Sequence, residues 1–326
     1  MTHAMRLTRR AALAGIGAAL AAPRLAHAFP ERTLRIIVPW NPGAFADVAT
    51  RAIAQEMARS LGQSVVVENR AGANGGVGAD AAARAAPDGH VLFVANADTH
   101  AINPFAYRRL PYDPVADFAP VSMFAKVPFA LVAGPSMAGV TDLAGFIAAA
   151  RAKPGQVTYA SWGVASASHL TMEKLIKAQG LQMLHVPFTG QAPGITAVMG
   201  GQVDAMFLTA GGAEAAAKDG RTKLIAVSAT RRIALLPQTP TLVERGVEVE
   251  GGNWFAIMGP ARMPEPAVRR VGAAVAEAVR APSVVELFRV QAAEVETSTP
   301  EALRSFIAED RSRWGSVIQG LGIQLE

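Results

Sequence analysis

The chain has 326 residues, enough to bury a large core and to build about two domains. Its 51% hydrophobic content with only 6% aromatics suits closely packed α/β layers and excludes a disordered chain, while the absence of cysteine excludes disulfides, thiolate metal sites, cysteine nucleophiles and a cysteine-linked lipid anchor. The formal charge of +5 is concentrated at the start: residues 1–28 hold Arg6, Arg9, Arg10 and Arg24 and no acid, and the remainder is close to neutral, with no basic stripe to recruit nucleic acid.

Residues 1–28 have the layout of a signal peptide, with a positive start, a small-residue apolar run from Ala11 to Ala22 and an A-x-A cleavage site at Ala26-His27-Ala28. The apolar run is too short to span a membrane. Arg9-Arg10 with Leu13 behind them resembles a twin-arginine signal, so the expectation is export to the periplasm with a mature chain beginning near Phe29. Leu34 to Val38 reads as a strand buried on both faces, stopped by Pro39, Pro42 and Gly43. Val48, Ile53, Met57 and Leu61 then follow a helical period to a stop at Gly62. A strand, a tight loop and a helix in this order point free backbone N–H groups and the positive end of a helix dipole over the loop, where a small anion sits well.

Ser64 to Glu68 is a second strand reached through that helix, which makes a βαβ unit and a parallel sheet. The Gly-rich run from Asn69 to Gly78 lacks the G-x-G-x-x-G spacing, and no acidic residue ends the next strand, Val91 to Asn96. It therefore reads as a loop of close backbone approach and not as a nucleotide site. Val121 to Val132 is a long extended segment interrupted by Pro128, suited to a hinge crossing. An amphipathic helix from Leu143 and a strand to Ser161 follow, and then Ser161-Trp162-Gly163-Val164-Ala165-Ser166 leads into a helix through His169 and Leu170. This repeats the opening design, with Ser166 or Ser168 available as a cap. His185 to Phe188, the strand containing Asp204, and Leu224 to Ser228 continue the βα series. Trp254 to Met258 is a return crossing, and helices at about Glu265–Arg280, Val284–Gln291 and Thr299–Gln319 close the chain, the last with Thr299 as cap and Pro300 in first place. The expected fold class is α/β with two lobes and a ligand cleft between them. Residues 29–126 and 250–326 form one lobe, 127–249 the other, and the βα loops of both face the cleft.

Several segments, in order, are similar to the periplasmic receptors of tripartite tricarboxylate transporters, the Bug family. They are Ile37–Gly43 with Asp47, Val65–Arg70, Pro87–Gly89, Leu110–Pro114, Tyr159–Ser161 with Gly163 and His169-Leu170, His185–Pro187, Gly200–Asp204, Leu236-Pro237 with Pro240-Thr241, and Trp254. The resemblance implies a type II periplasmic binding fold closing over an organic acid held by backbone N–H groups of Pro39–Ala44 and Ser161–Ser168 and by ordered water. It implies Asp47 near the ligand, no cofactor and no metal. The implied partners are a small organic acid and the large and small integral-membrane subunits of a transporter, with the receptor itself a monomer. The sequence departs from the family pattern at Ala44 and Ala165, where glycine is usual, at Phe188, where tyrosine is usual, and at Trp40 and Asn41, which leaves the identity of the acid open. The candidate ligand contacts are Trp40, Asn41, Pro42, Gly43, Ala44, Asp47, Ser161, Gly163, Ala165, Ser166, Phe188 and Asp204.

Two rival readings belong beside this one. A periplasmic sensor would present the same ligand to a signalling partner. A hydrolase would want G-x-S-x-G, H-E-x-x-H or a P-loop, and none occurs; Gly163-Val164-Ala165-Ser166 has the wrong spacing.

Overall fold

The computed structural model describes residues 29–326, so the expected signal peptide and its paired arginines lie outside the described residues. Strand β1 (Leu34–Val38) enters helix α1 (Phe45–Leu61), which stops where Gly62 takes a φ of 67° and donates its N–H to the Ala58 carbonyl. Strand β2 (Val65–Asn69) lies on one side of β1, helix α2 (Gly76–Ala83) follows it, and β3 (Val91–Asn96) lies on the other side, both strands parallel to β1. Lying between β2 and β3, β1 is buried at Leu34, Ile36, Ile37 and Val38, while Arg35 is only partly buried and pairs with Glu68 at 3.0 Å. A π-turn over Asp98–Ile102 and the short helix α3 (Asn103–Ala106) lead out of β3.

The long strand β4 (Phe118–Ala133) comes next, followed by α4 (Leu143–Ala152), β5 (Thr158–Ser161), α5 (Ala167–Gln179), β6 (Leu184–Pro187) and α6 (Gln191–Met199). Strand β7 (Ala205–Thr209), α7 (Ala210–Lys218) and β8 (Lys223–Val227) complete this run of βα units. Strand β9 (Gly252–Pro260) then returns, and α8 (Glu265–Ala278), α9 (Pro282–Val290), the two-residue β10 (Glu294–Val295) and α10 (Pro300–Leu321) finish the chain.

The strands form two sheets that share β4. One has the order β2-β1-β3-β9-β4, with β10 on the far side of β4; the other runs β8-β4-β7-β5-β6. From Phe118 to Pro128, β4 runs antiparallel to β9; from Phe129 to Ala133 it runs antiparallel to β7. Pro128 thus does not break the strand. It sits at the change of partner, where a missing N–H costs least. In the first sheet, α1, α8 and α9 cover one face, with Ile53, Met57, Val271 and Phe288 in the core and Phe45 against Phe255 at 5.0 Å between ring centroids. The other face shares a continuous core with the second lobe, joined by Leu303, Ile307 and Trp314 of α10.

Candidate functional site

The loop Pro39–Ala44 leaves the carboxyl end of β1 and turns at Gly43, whose φ of 85° is one that a side chain resists. Asp47, at the third helical position of α1, is only 3% exposed. Its Oδ2 accepts the Gly43 N–H at 3.0 Å, and its Oδ1 accepts from Arg51 Nε and Asn69 Nδ2, each at 2.9 Å. Burial pushes the carboxyl pKa up, but these donors and the Arg51 charge outweigh it and hold the group below the ordinary aspartate value. Asp47 therefore shapes the loop from beneath, with three of its acceptor positions taken within the protein. Trp40 is half-buried against the α1 core, with its carbonyl taking the other Asn69 N–H at 3.0 Å; Asn41 and Pro42 are exposed, and Ala44 is the helix cap residue in extended backbone. Among the described residues the Phe45 and Ala46 amides, in the first turn of α1, find no acceptor.

The loop after β5 is built alike but is already satisfied internally. Ser161 is fully buried; its Oγ donates to the Gly163 carbonyl at 2.9 Å and lies 2.7 Å from His185 Nε2. The Ser166 hydroxyl caps α5 by accepting the His169 N–H, and its own amide donates to the Gly163 carbonyl. Ala165 is buried at a φ of 60°, with its amide bonded to His169 Nδ1 at 3.0 Å. Behind the loop, His169 stacks on His185 with ring centroids 3.8 Å apart, and the Tyr159 ring lies nearly parallel to both, 4.9 Å from His185 and 6.1 Å from His169. Burial lowers the His169 pKa to about 3, helped by the His185 charge, and burial alone lowers His185 to about 4. Both imidazoles are neutral in the folded protein. Ser161 and Ser166 thus hold the loop in shape from buried positions.

Contacts between the two lobes run beside these loops. Asn41 Nδ2 donates to the Thr189 carbonyl at 3.1 Å, and a Cβ placed on Gly163 would lie 3.9 Å from Asn74 Oδ1. Asn74 comes from the Gly-rich loop, which does approach closely: a Cβ on Gly78 would lie 3.0 Å from both the Arg70 carbonyl and Pro39. Asp98 was passed over in the sequence because it falls two residues beyond β3. It is fully buried and reaches the amide of Ala167, the first residue of α5, at 2.8 Å. Its other oxygen accepts from Asn253 Nδ2 at 2.8 Å and Asn96 Nδ2 at 2.9 Å. Burial raises the Asp98 pKa despite these donors and the Trp162 indole.

Phe188 is half-buried in the second lobe's core, and its amide donates to the Ser161 carbonyl at 3.0 Å. Asp204 is not brought to this cluster. It precedes β7 and accepts from the Thr158 amide and hydroxyl at 2.7 and 2.8 Å, at the end of β5 opposite Ser161. In a parallel pair the loops that face a cleft follow the strands, so an acid before the strand is a structural clasp. The G-G-Q-V-D stretch carried no cue to which strand end it would occupy.

Behind the crossing of β4 and β9 lies a separate cavity of about 560 Å³, lined by Lys126, Lys174, Trp254, Phe306, Asp310 and Trp314 among others and touching neither loop. Trp254 closes one wall by donating its indole N–H to Asp310 at 2.7 Å.

Two sheets joined by crossing strands, with the βα loops of both turned toward one space, define a two-lobed binding protein. The family model described as tripartite tricarboxylate transporter family receptor matches residues 49–323. The chain belongs to this family. It is 33% identical to protein BugT of Bordetella pertussis over 99% of this chain and 100% of that protein. Among solved structures it is similar to MatC from Rhodopseudomonas palustris with bound malate (32% identity, 89% of this chain and 100% of that one, TM-score 0.82) and to an R. palustris protein with adipate (29%, 91% and 100%, TM-score 0.87). It is also similar to the periplasmic binding protein BugD (28%, 91% and 100%, TM-score 0.85). The fold is that of periplasmic binding proteins, and the role of the chain is that of a solute-binding receptor.

Proposed function

We propose that the chain captures a small organic acid in the periplasm, between the Pro39–Ala44 loop with the start of α1 on one side and Trp162–Val164 on the other, and delivers it to the membrane subunits of a tripartite transporter. The observation that carries this reading is the pair of unpartnered first-turn amides at Phe45 and Ala46, above a loop fixed by Asp47. Such amides favour a carboxylate through both hydrogen bonding and the helix dipole. Trp40, Asn41, Pro42, Gly43 and Ala44 form the rim on this side; Gly163 and Phe188 lie on the other. Residues 29–126 with 250–326, and 127–249, move as two bodies about the β4–β9 crossing, and contacts made only when they close shift the population to the closed form. No helix among the described residues is long and apolar enough to cross a membrane, so on this reading transport needs separate membrane subunits. The test is a thermal-shift panel of mono- and dicarboxylates, with sugars and metal cations as controls. At least one acid should raise the melting temperature through its binding free energy; if only a sugar or a cation does so, the reading fails.

A catalytic reading has one observation in its favour, the 2.7 Å contact between Ser161 Oγ and His185 Nε2. Against it, Ser161 is sealed from solvent, among the described residues no acid hydrogen-bonds His185, and burial depresses the imidazole's basicity. The expected turnover of a chromogenic ester is nil. Turnover that disappears in Ser161→Ala would restore the hydrolase.

A further inference from the structure

The rims of the two lobes are joined by a hydrogen bond from Asn41 Nδ2, on the loop between β1 and α1, to the Thr189 carbonyl, on the loop between β6 and α6, at 3.1 Å. Each partner is held by its own lobe. On the first side the Ala44 amide turns back to the Asn41 carbonyl at 3.4 Å, and Asn69 donates to the preceding Trp40 carbonyl at 3.0 Å. On the second, the Phe188 amide donates to the Ser161 carbonyl at 3.0 Å and the Gln191 side chain accepts the Thr209 amide at 3.1 Å. With both ends fixed in this way, the length of the Asn41–Thr189 contact follows the separation of the lobes. Gly190 leaves room for it: its φ of 151° is one that side chains rarely adopt, and a Cβ there would lie 3.4 Å from Asn41 Nδ2.

This contact differs in kind from the ties between the lobes at α5. There the cores merge: Leu170 and Leu175 of the second lobe share a cluster with Leu303 and Trp314 of the first, and the buried Asp98 carboxylate accepts the Ala167 amide at 2.8 Å. Parting those groups would bare apolar surface and leave buried polar atoms unmet. Asn41 and Thr189 are both exposed, and when they separate water takes up the freed donor and acceptor. The lobes therefore part at little cost at this rim and at a large one beside α5, so the rim is where the cleft opens and shuts.

On the reading that this cleft captures an organic acid, we infer that Asn41 is a positioning residue: it acts on the ligand through Thr189, by holding the rims together over it, and so sets how long the acid stays. A contact made only on closure leaves entry into the open form untouched and slows escape from the closed one. A neutral hydrogen bond of this kind shifts the balance between the two forms about two- to tenfold.

Two measurements test this. Because the chain has no cysteine, Gln55→Cys on α1 and Thr196→Cys on α6, both exposed positions, take spin labels specifically, and double electron–electron resonance without ligand gives the long- and short-distance populations of the rims. Asn41→Ala and Asn41→Asp, the second equal in size but with no N–H to donate, should each raise the long-to-short ratio at least twofold. Stopped-flow kinetics with butyrate, succinate, malate and adipate as probes should then show dissociation at least twofold faster in Asn41→Ala, with association no slower. Populations that neither variant moves overturn the inference, as does an unchanged dissociation rate. Slower association with unmoved populations would make Asn41 a direct ligand contact and overturn it as well. If none of these acids binds the wild type, it is the carboxylate reading that fails, and the ligand-free populations still decide the role of Asn41.

Discussion

Ala165 carries a cost that glycine would not. Its φ of 60° lies in the left-handed region, where the Cβ crowds the following carbonyl by about 1–2 kcal/mol. Ala165→Gly relieves that strain and gives back part of it as unfolded-chain entropy. The expected outcome is a net gain of about 0.5–1 kcal/mol, read from denaturant midpoints; a loss would mean that the buried methyl's packing outweighs the strain. The residues also mark the limit of legibility. Alternating turn and small residues disclosed both loops, because Pro39, Gly43 and Gly163 have few other uses in that order. Which polar groups would be spent internally was legible only in part: the Ser166 cap was, but Asp47 and Ser161 also bind Asn69 and His185, which only the folded chain brings near them.

At the scale of the element, two buried imidazoles and a partly buried third tie secondary structures together and set a pH response. His100 on the π-turn has its pKa lowered to about 3 by burial and the Arg311 charge, His169 on α5 to about 3, and His185 on β6 to about 4. All three lie below the unfolded value, so the unfolded chain binds more protons between about pH 4 and 6.5. Stability is then fully present above the unfolded pKa and falls as pH drops through that window. Each fully buried imidazole costs up to about 1.4 kcal/mol per pH unit, and His185, being partly exposed, costs less. Urea melts should therefore lose about 2–3 kcal/mol between pH 6 and pH 5. Asp98, whose pKa is raised, works in the opposite sense, and Asp98→Asn isolates the imidazole contribution. A flat profile in that variant would mean that the imidazoles gain protons without unfolding. The βα units themselves were readable element by element because period, cap and stop agreed, as at Thr299 and Pro300, where the threonine hydroxyl accepts the Ala302 N–H. The pairing of β4 was not readable: an extended run with a proline does not disclose that one strand serves two sheets.

For the molecule as a whole, the shared strand decides the order of assembly. The second sheet draws all its strands from Phe129 to Val227, one uninterrupted stretch. The first sheet is incomplete until β9 arrives at Gly252, and its outer layer waits for α8 and α9. A fragment covering 127–251 should therefore unfold cooperatively in urea, whereas 29–128 alone, lacking the strand that joins β3 to β4, should give no cooperative transition. Cooperative folding of the shorter fragment would show that β9 is dispensable. As the chain grows from its amino end, the segment that begins first is thus the last to be finished. The opening loop over Asp47 reaches its working geometry beside Phe288 of α9 only when nearly nine-tenths of the chain has been made, so an interrupted product is never a receptor with half a grip.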